Sequence, residues 1–373
     1  MPQNEYYQWR MKAQKNGLLH KATQLYYIDD SKQLYSIAVD DKIQTVPIFT
    51  YREWITNGDI NMPISSYTDH DEPLSSYDTE LLEDFADYIS YVTDSELELN
   101  EIMWNDPVYG ATDGVRRELN FELTPSDYYT VRSHAIKLEN EMLRSFYQNG
   151  IEPDIKMLDI QSKLSELNVP YREKYASTLD EMLEFKEDSP RMVGGNSVIF
   201  FKTEDSYKFP IIRRDDTVSE ARGWLSFIPA GVFQPSDKNN VTEPDLFEYF
   251  TTEYTEYFGD NPKRTITDLL QDPDSDSELV HTSTGIDCKN TNLQIFGAMV
   301  INDETFYENV QEIVDSRGME RIELVDIKET EKVKALLSPS ITNPYNVLGL
   351  SEGLQYLKKE YDSVIGCDIS RLV

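Results

Sequence analysis

The chain has 373 residues, 39% hydrophobic and 12% aromatic with 24 Tyr, a length that suits about two or three folded domains and a composition too aromatic for a disordered polymer. Its 68 acids against 35 Lys and Arg give a net charge of −33, which repels phosphate backbones and excludes general nucleic-acid binding. The longest strongly apolar stretch, residues 293–301, is far short of the ~20 residues that span a bilayer, so no membrane partner is expected.

A carboxylate surface this dense keeps a protein soluble where salt screens its self-repulsion, and it predicts a halophilic, archaeal-type cytoplasm. Cys288 and Cys367 are too few and too far apart for a disulfide framework and read as ordinary thiols. The opening MPQNEYYQWRMKAQ lacks the apolar centre of a signal peptide, so a cytoplasmic location is expected.

In chain order, residues 1–60 read as a small α+β piece, with strands at 33–39 and 43–49, Pro47 marking an edge, and a short helix at 51–56. Residues 61–118 read as an acidic linker and helix. Pro, Ser and Asp dominate 61–78, where His70 sits in a solvated loop; an amphipathic helix covers 80–93; and 94–118 is irregular. Residues 119–190 read as helical. The strongest helix spans Pro125–Gln148, with Thr124 as its N-cap, and shorter ones fall at 157–167 and 174–185. His134, beside the apolar stripe of the long helix, reads as structural.

The pattern changes at Arg191. Strands at 196–203 and 207–213 flank Glu204-Asp205-Ser206 and predict a hairpin. A strand at 223–228 then leads through Pro229-Ala230-Gly231 to a helix over 245–258. Beyond an acidic loop at 260–281, strands at 292–301 and 321–327 and a closing helix at 345–359 complete residues 191–373. Within the acidic loop, Asp272–Glu278 imitates the start of a calcium loop but lacks its glycine and its final glutamate, so it reads as solvated. Gly194-Gly195 lacks the phosphate-loop pattern.

The helix at 245–258 carries the candidate chemistry. At ~100° per residue, Leu246, Phe250, Tyr254 and Tyr257 share one apolar arc, Glu253 lies at its margin and Glu256 beside it. Neighbouring carboxylates can hold Mg²⁺, which takes one or two of them and leaves its other positions to water and phosphate. A plain solvated acidic face is the competing reading in a chain with 68 acids.

The order of strand, Pro-Ala-Gly turn, polar insert and Thr252-Glu253-Tyr254-Thr255-Glu256-Tyr257-Phe258-Gly259 resembles the Nudix family, and more closely its degenerate prokaryotic members. Gly285-Ile286-Asp287 and the strand after it fit the same pattern, and the resemblance covers residues 191–365. It implies a C-terminal α/β/α sandwich with a mixed sheet, giving an α+β chain overall, and it implies Glu253 and Glu256 as metal ligands and catalytic groups. Thr252 stands where the family has an arginine, Tyr257 where it has a further glutamate, and Glu243 or Asp245 is left to supply another carboxylate.

Arg213, Arg214 and Arg222 group near the turn and suit phosphate oxygens, although Asp215, Asp216 and Glu220 could pair with them instead. Trp224 and Phe233 could stack a base, or fill the core. Two functions follow. One is a non-catalytic or weakly active protein of regulatory type that binds a nucleotide-type or other phosphate-bearing small molecule. The other is an active Mg²⁺-dependent pyrophosphohydrolase that uses Glu253 and Glu256. The oligomeric state is left open.

Overall fold

The structure, a computed structural model, describes residues 3–27, 34–51, 55–56, 107–113, 122–183, 191–213, 224–234, 246–259, 264–316, 322–340 and 342–372. The loop with His70, the helix expected at 80–93, Arg214, Arg222, Glu243 and Asp245 lie outside these residues.

Two helices, α1 (Gln3–Lys15) and α2 (Leu18–Tyr26), precede strands β1 (Leu34–Val39), β2 (Lys42–Tyr51) and β3 (Ile55–Thr56). A hairpin of β4 (Pro107–Asp113) and β5 (Glu122–Asp127) leads into α3 (Tyr128–Gln148) and the short helices α4 (Met157–Gln161), α5 (Pro170–Tyr175) and α6 (Leu179–Leu183). Then come β6 (Arg191–Lys202), β7 (Tyr207–Arg213), β8 (Leu225–Phe227), β9 (Ala230–Val232), α7 (Leu246–Phe258) and α8 (Ile266–Gln271). The chain continues with β10 (Glu278–Asp287), β11 (Leu293–Ile301), α9 (Glu304–Ser316), β12 (Ile322–Asp326), α10 (Thr330–Leu336), α11 (Pro344–Glu360) and β13 (Ile369–Leu372).

These strands join one branched sheet whose main path runs β12-β7-β6-β11-β10-β2-β1-β13. The pair β6/β11 is parallel and the other pairs along the path are antiparallel, so the sheet is mixed. Strand alternation builds a core on each face. Odd positions of the central pair, such as Val193, Phe201, Leu293 and Ile295, meet α7, α8 and α9. Even positions, Val198, Phe200, Phe296, Ala298 and Val300, meet α10 and α11. A third core joins α1, α2 and α3 through Ala13, Leu18, Leu19, Met142, Leu143 and Phe146.

The hairpin expected over residues 196–213 is present, as Phe201 pairs with Lys208 and Lys202 with Tyr207. Both cysteines are buried and neither forms a disulfide. Several local expectations are corrected. Pro47 lies in no edge strand: β2 is flanked by β1 and β10, and Pro47 sits where the β1 register shifts between Leu34 and Ser36. An irregularity there removes the need for the N–H that proline lacks, while the Pro47 carbonyl accepts from Cys288 N at 2.9 Å.

Residues 55–56 are strand, paired to Val280 and His281, where a helix was expected. Residues 107–113 are strand within a stretch expected to be irregular, and Pro125 pairs with Tyr109 in β5 instead of opening a helix, so α3 begins at Tyr128. The acidic stretch 260–281 contains α8, opened by a Thr265/Asp268 capping box, and the first residues of β10. The hairpin β1/β2, assigned from sequence to a separate piece, is hydrogen-bonded into the same sheet as residues 191–372 through Ile48 and Asp287.

Candidate functional site

Strand β9 lies against the first half of β6, with Asn196 opposite Ala230, Gly195 opposite Gly231 and Gly194 opposite Val232. Ahead of β9 the Ile228–Pro229 peptide is cis. Helix α7 packs over this pair. Leu246, Phe250, Tyr254 and Phe258 point into the core, as the 3.6-residue period requires. Thr252 and Glu256 are exposed, and Glu253 is half-buried between these two faces.

Ala230 and Gly231, expected from the sequence to form a turn, lie instead in strand β9, and Gly231 is in contact with the glutamate helix. A Cβ added to Gly231 would lie 2.6 Å from Oε1 of Glu253, so the carboxylate rests on the glycine backbone in space a side chain would fill. Burial first, and the neighbouring Glu256 second, push the Glu253 carboxyl up from 4.5 to about 7. A half-buried carboxylate beside a second one is a donor set that a divalent cation would stabilise. Among the described residues, no group of three or more His, Cys, Asp or Glu side chains is placed to hold a metal. Water and a phosphate would therefore have to complete the sphere, as Mg²⁺ commonly allows.

One turn before Glu253, Tyr249 stacks on Phe233, with ring centroids 3.9 Å apart and planes 15° apart. Its hydroxyl reaches the Gly195 carbonyl at 3.5 Å. A Cβ on Gly195 would stand 2.2 Å from the Tyr249 ring, so this strand glycine is what admits the helix. Burial, and then the charge of Glu253, raise the Tyr249 hydroxyl well above 10.0, which keeps it a neutral donor.

The remaining residues singled out by sequence are placed as follows. Phe233 is fully buried and one ring face is occupied by Tyr249. Trp224 is 7% exposed and packs on His20 of α2, centroids 5.0 Å apart. Arg213 is exposed at the end of β7. Tyr257 packs against the core, and Gly259 closes α7 at φ 73°, a conformation that favours glycine. His134 is bonded to the Tyr171 hydroxyl, in keeping with its structural reading.

Sequence reasoning passed over Tyr249 and treated Gly194-Gly195 only as a failed phosphate loop. The available signal was a glycine pair inside an otherwise apolar strand, which marks close approach by another element.

Asp287, singled out with Gly285 and Ile286, serves a different purpose. It is fully buried in the β10–β11 turn, where it pairs with Lys289 at 3.0 Å and accepts from the Tyr345 hydroxyl. The turn is held by Arg172, which donates to the carbonyls of Cys288 at 2.8 Å and Lys289, and by Asn290, which donates to Glu139 at 2.9 Å. The Asp272–Glu278 stretch borders a pocket of about 750 Å³, and two of its carboxylates are paired: Asp272 with Arg264, and Glu278 with the Tyr356 and Tyr361 hydroxyls, which donate to it at 2.7 and 2.6 Å.

No protein-family model matches the chain, and a search of curated proteins finds no match.

Proposed function

We propose that the chain is a Nudix-like protein, non-catalytic or weakly active, that binds a nucleotide-type, phosphate-bearing ligand beside α7. Glu253 and Glu256 would hold a Mg²⁺-type cation, which supplies positive charge to the phosphate oxygens. Arg213, Arg214 and Arg222 are the guanidinium groups proposed to meet the phosphates, since planar guanidinium forks suit phosphate oxygens. The observation that carries this reading is the Glu253 carboxylate, half-buried on Gly231 and made costly to ionise by burial and by Glu256. A cation relieves that cost.

The occupied face of Phe233 and the burial of Trp224 leave a base to be held by other groups. The Thr252 and Tyr257 departures argue for weak chemistry. An orienting group lost beside a metal typically costs ~10–100-fold, and here a ligand is replaced as well.

Titration calorimetry of the full chain with ADP-ribose, a nucleotide sugar and a dinucleotide, with and without Mg²⁺, tests the proposal. Saturable, Mg²⁺-dependent binding that Glu253→Gln weakens ~10-fold or more is the expected result. Absence of binding together with rapid Mg²⁺-dependent turnover would overturn it.

The second reading, an active Mg²⁺-dependent pyrophosphohydrolase, is favoured by one observation: a carboxyl titrating near 7 is matched to proton transfer at neutral pH. Under that reading Glu253→Gln abolishes phosphate release from a diphosphate substrate. Equal release by both proteins removes it.

A further inference from the structure

We infer that Tyr249 is a positioning residue for Glu253: its ring, clamped between Phe233 and Gly195, fixes the turn of α7 that sets the Glu253 carboxylate on Gly231. The inference rests on the proposed cation site and adds residues that the sequence did not assign to it.

The geometry is specific. Gly195 and Gly231 face each other across the β6/β9 pair. Each glycine leaves its missing Cβ space to one residue of α7, Gly195 to Tyr249 at 2.2 Å and Gly231 to Glu253 at 2.6 Å. Residues four apart lie on one face of a helix, so two adjacent side chains of α7 enter two adjacent notches of the sheet. Tyr249 is the member that can hold this register. Its ring has a close parallel partner in Phe233, 3.9 Å away, and Phe233 is itself held by its N–H bond to the Val193 carbonyl at 2.9 Å. The 3.5 Å contact of its hydroxyl with the Gly195 carbonyl is long for a hydrogen bond, so the stack carries most of the constraint. Among the described residues the Glu253 side chain has no stacked partner like that of Tyr249, so its place on Gly231 is set by the helix turn that carries it.

The roles separate in three variants of the full chain. Mn²⁺ alone is the probe, followed by electron paramagnetic resonance. A metal-free measure is the nuclear Overhauser contact between the Glu253 γ-methylene and the Gly231 α-protons. Tyr249→Leu keeps apolar volume but removes the flat ring. It is expected to weaken Mn²⁺ binding about tenfold or more and to lose the Overhauser contact. Tyr249→Phe keeps the ring and restores both. Gly231→Ala is expected to weaken Mn²⁺ binding comparably with a nearly unchanged melting temperature, because the atoms it displaces are the end of a flexible side chain.

Wild-type Mn²⁺ affinity together with an intact contact in Tyr249→Leu overturns the positioning role. If the wild type binds no Mn²⁺ yet its contact vanishes in Tyr249→Leu and returns in Tyr249→Phe, the cation site falls and the positioning role stands.

Discussion

Glu253 couples the proposed site to the stability of the chain. Its folded-state carboxyl is raised from 4.5 to about 7, by burial first and Glu256 second. The native chain then holds that proton more tightly than the unfolded chain does. The resulting stabilisation is complete below about pH 4.5 and is lost as pH rises through about 7. At 1.36 kcal/mol per unit the shift is worth about 3 kcal/mol, and residual solvent around a half-buried side chain reduces this to about 2 kcal/mol. Urea unfolding at pH 5 and pH 8 should therefore show the wild type losing about 2 kcal/mol more than Glu253→Gln. Millimolar Mg²⁺ at pH 8 should recover part of the loss, because a cation favours the ionised form. Identical pH slopes in the two proteins would remove the burial argument.

At the scale of elements, tertiary fit outweighs local propensity. Helix α11 carries Gly349 and Gly353 in its interior, where alanine is intrinsically better by about 1 kcal/mol. A Cβ on Gly353 would stand 2.6 Å from Val198 Cγ1 and 2.8 Å from the Phe200 ring, both on β6 and both nearly without exposure. A β-branched side chain and a packed ring cannot swing aside as a flexible chain end can, and overpacking a dense core costs about 1–3 kcal/mol. Gly353→Ala should therefore bring no stabilisation and cost up to about 2 kcal/mol net in a denaturant titration. A stabilised variant would mean that α11 does not sit this close to the sheet. The same physics explains Gly195 under α7: in both places a glycine marks where a helix presses on β6.

At the scale of the molecule, the sheet and its polar turn bind distant parts of the sequence together. Residues 34–51 supply β1 and β2, which lie between β10 and β13. Arg172 and Glu139 from the helical region hold the buried β10–β11 turn, and Arg10 of α1 pairs with Glu139 at 3.6 Å. A fragment of residues 191–373 would leave the β10 edge bare, β13 without a partner strand and the charged Asp287–Lys289 turn uncovered. That fragment is expected to lack near-ultraviolet circular dichroism and cooperative melting, and to regain both when residues 1–190 are co-expressed. Cooperative folding of the fragment alone would show that the sheet tolerates the loss. Among the described residues, no helix is long and apolar enough to cross a membrane.

Local signals in the sequence were sufficient where neighbours in the chain decide the outcome. The β6–β7 hairpin follows from apolar alternation around a polar turn, α7 from its apolar arc, and the closing helix expected at 345–359 is present as α11. The half-buried setting of Glu253 was legible for the same reason, since a 3.6-residue period places it at the margin of the arc.

Contacts between distant residues were not legible. Pro47 reads as an edge residue until the register shift against β1 is seen, and Gly195 reads as a weak strand residue until Tyr249 occupies its space. By itself the sequence determined an acidic, aromatic-rich composition, a mixed α and β chain and the helix with its glutamate pair. Only the tertiary structure decided that Glu253 rests on Gly231, that Tyr249 and Phe233 stack beside it and that residues 34–51 complete the sheet. The reason is physical: periodicity records which face of an element is buried, while the partner on that face is chosen by the shape and charge of residues far away in the chain.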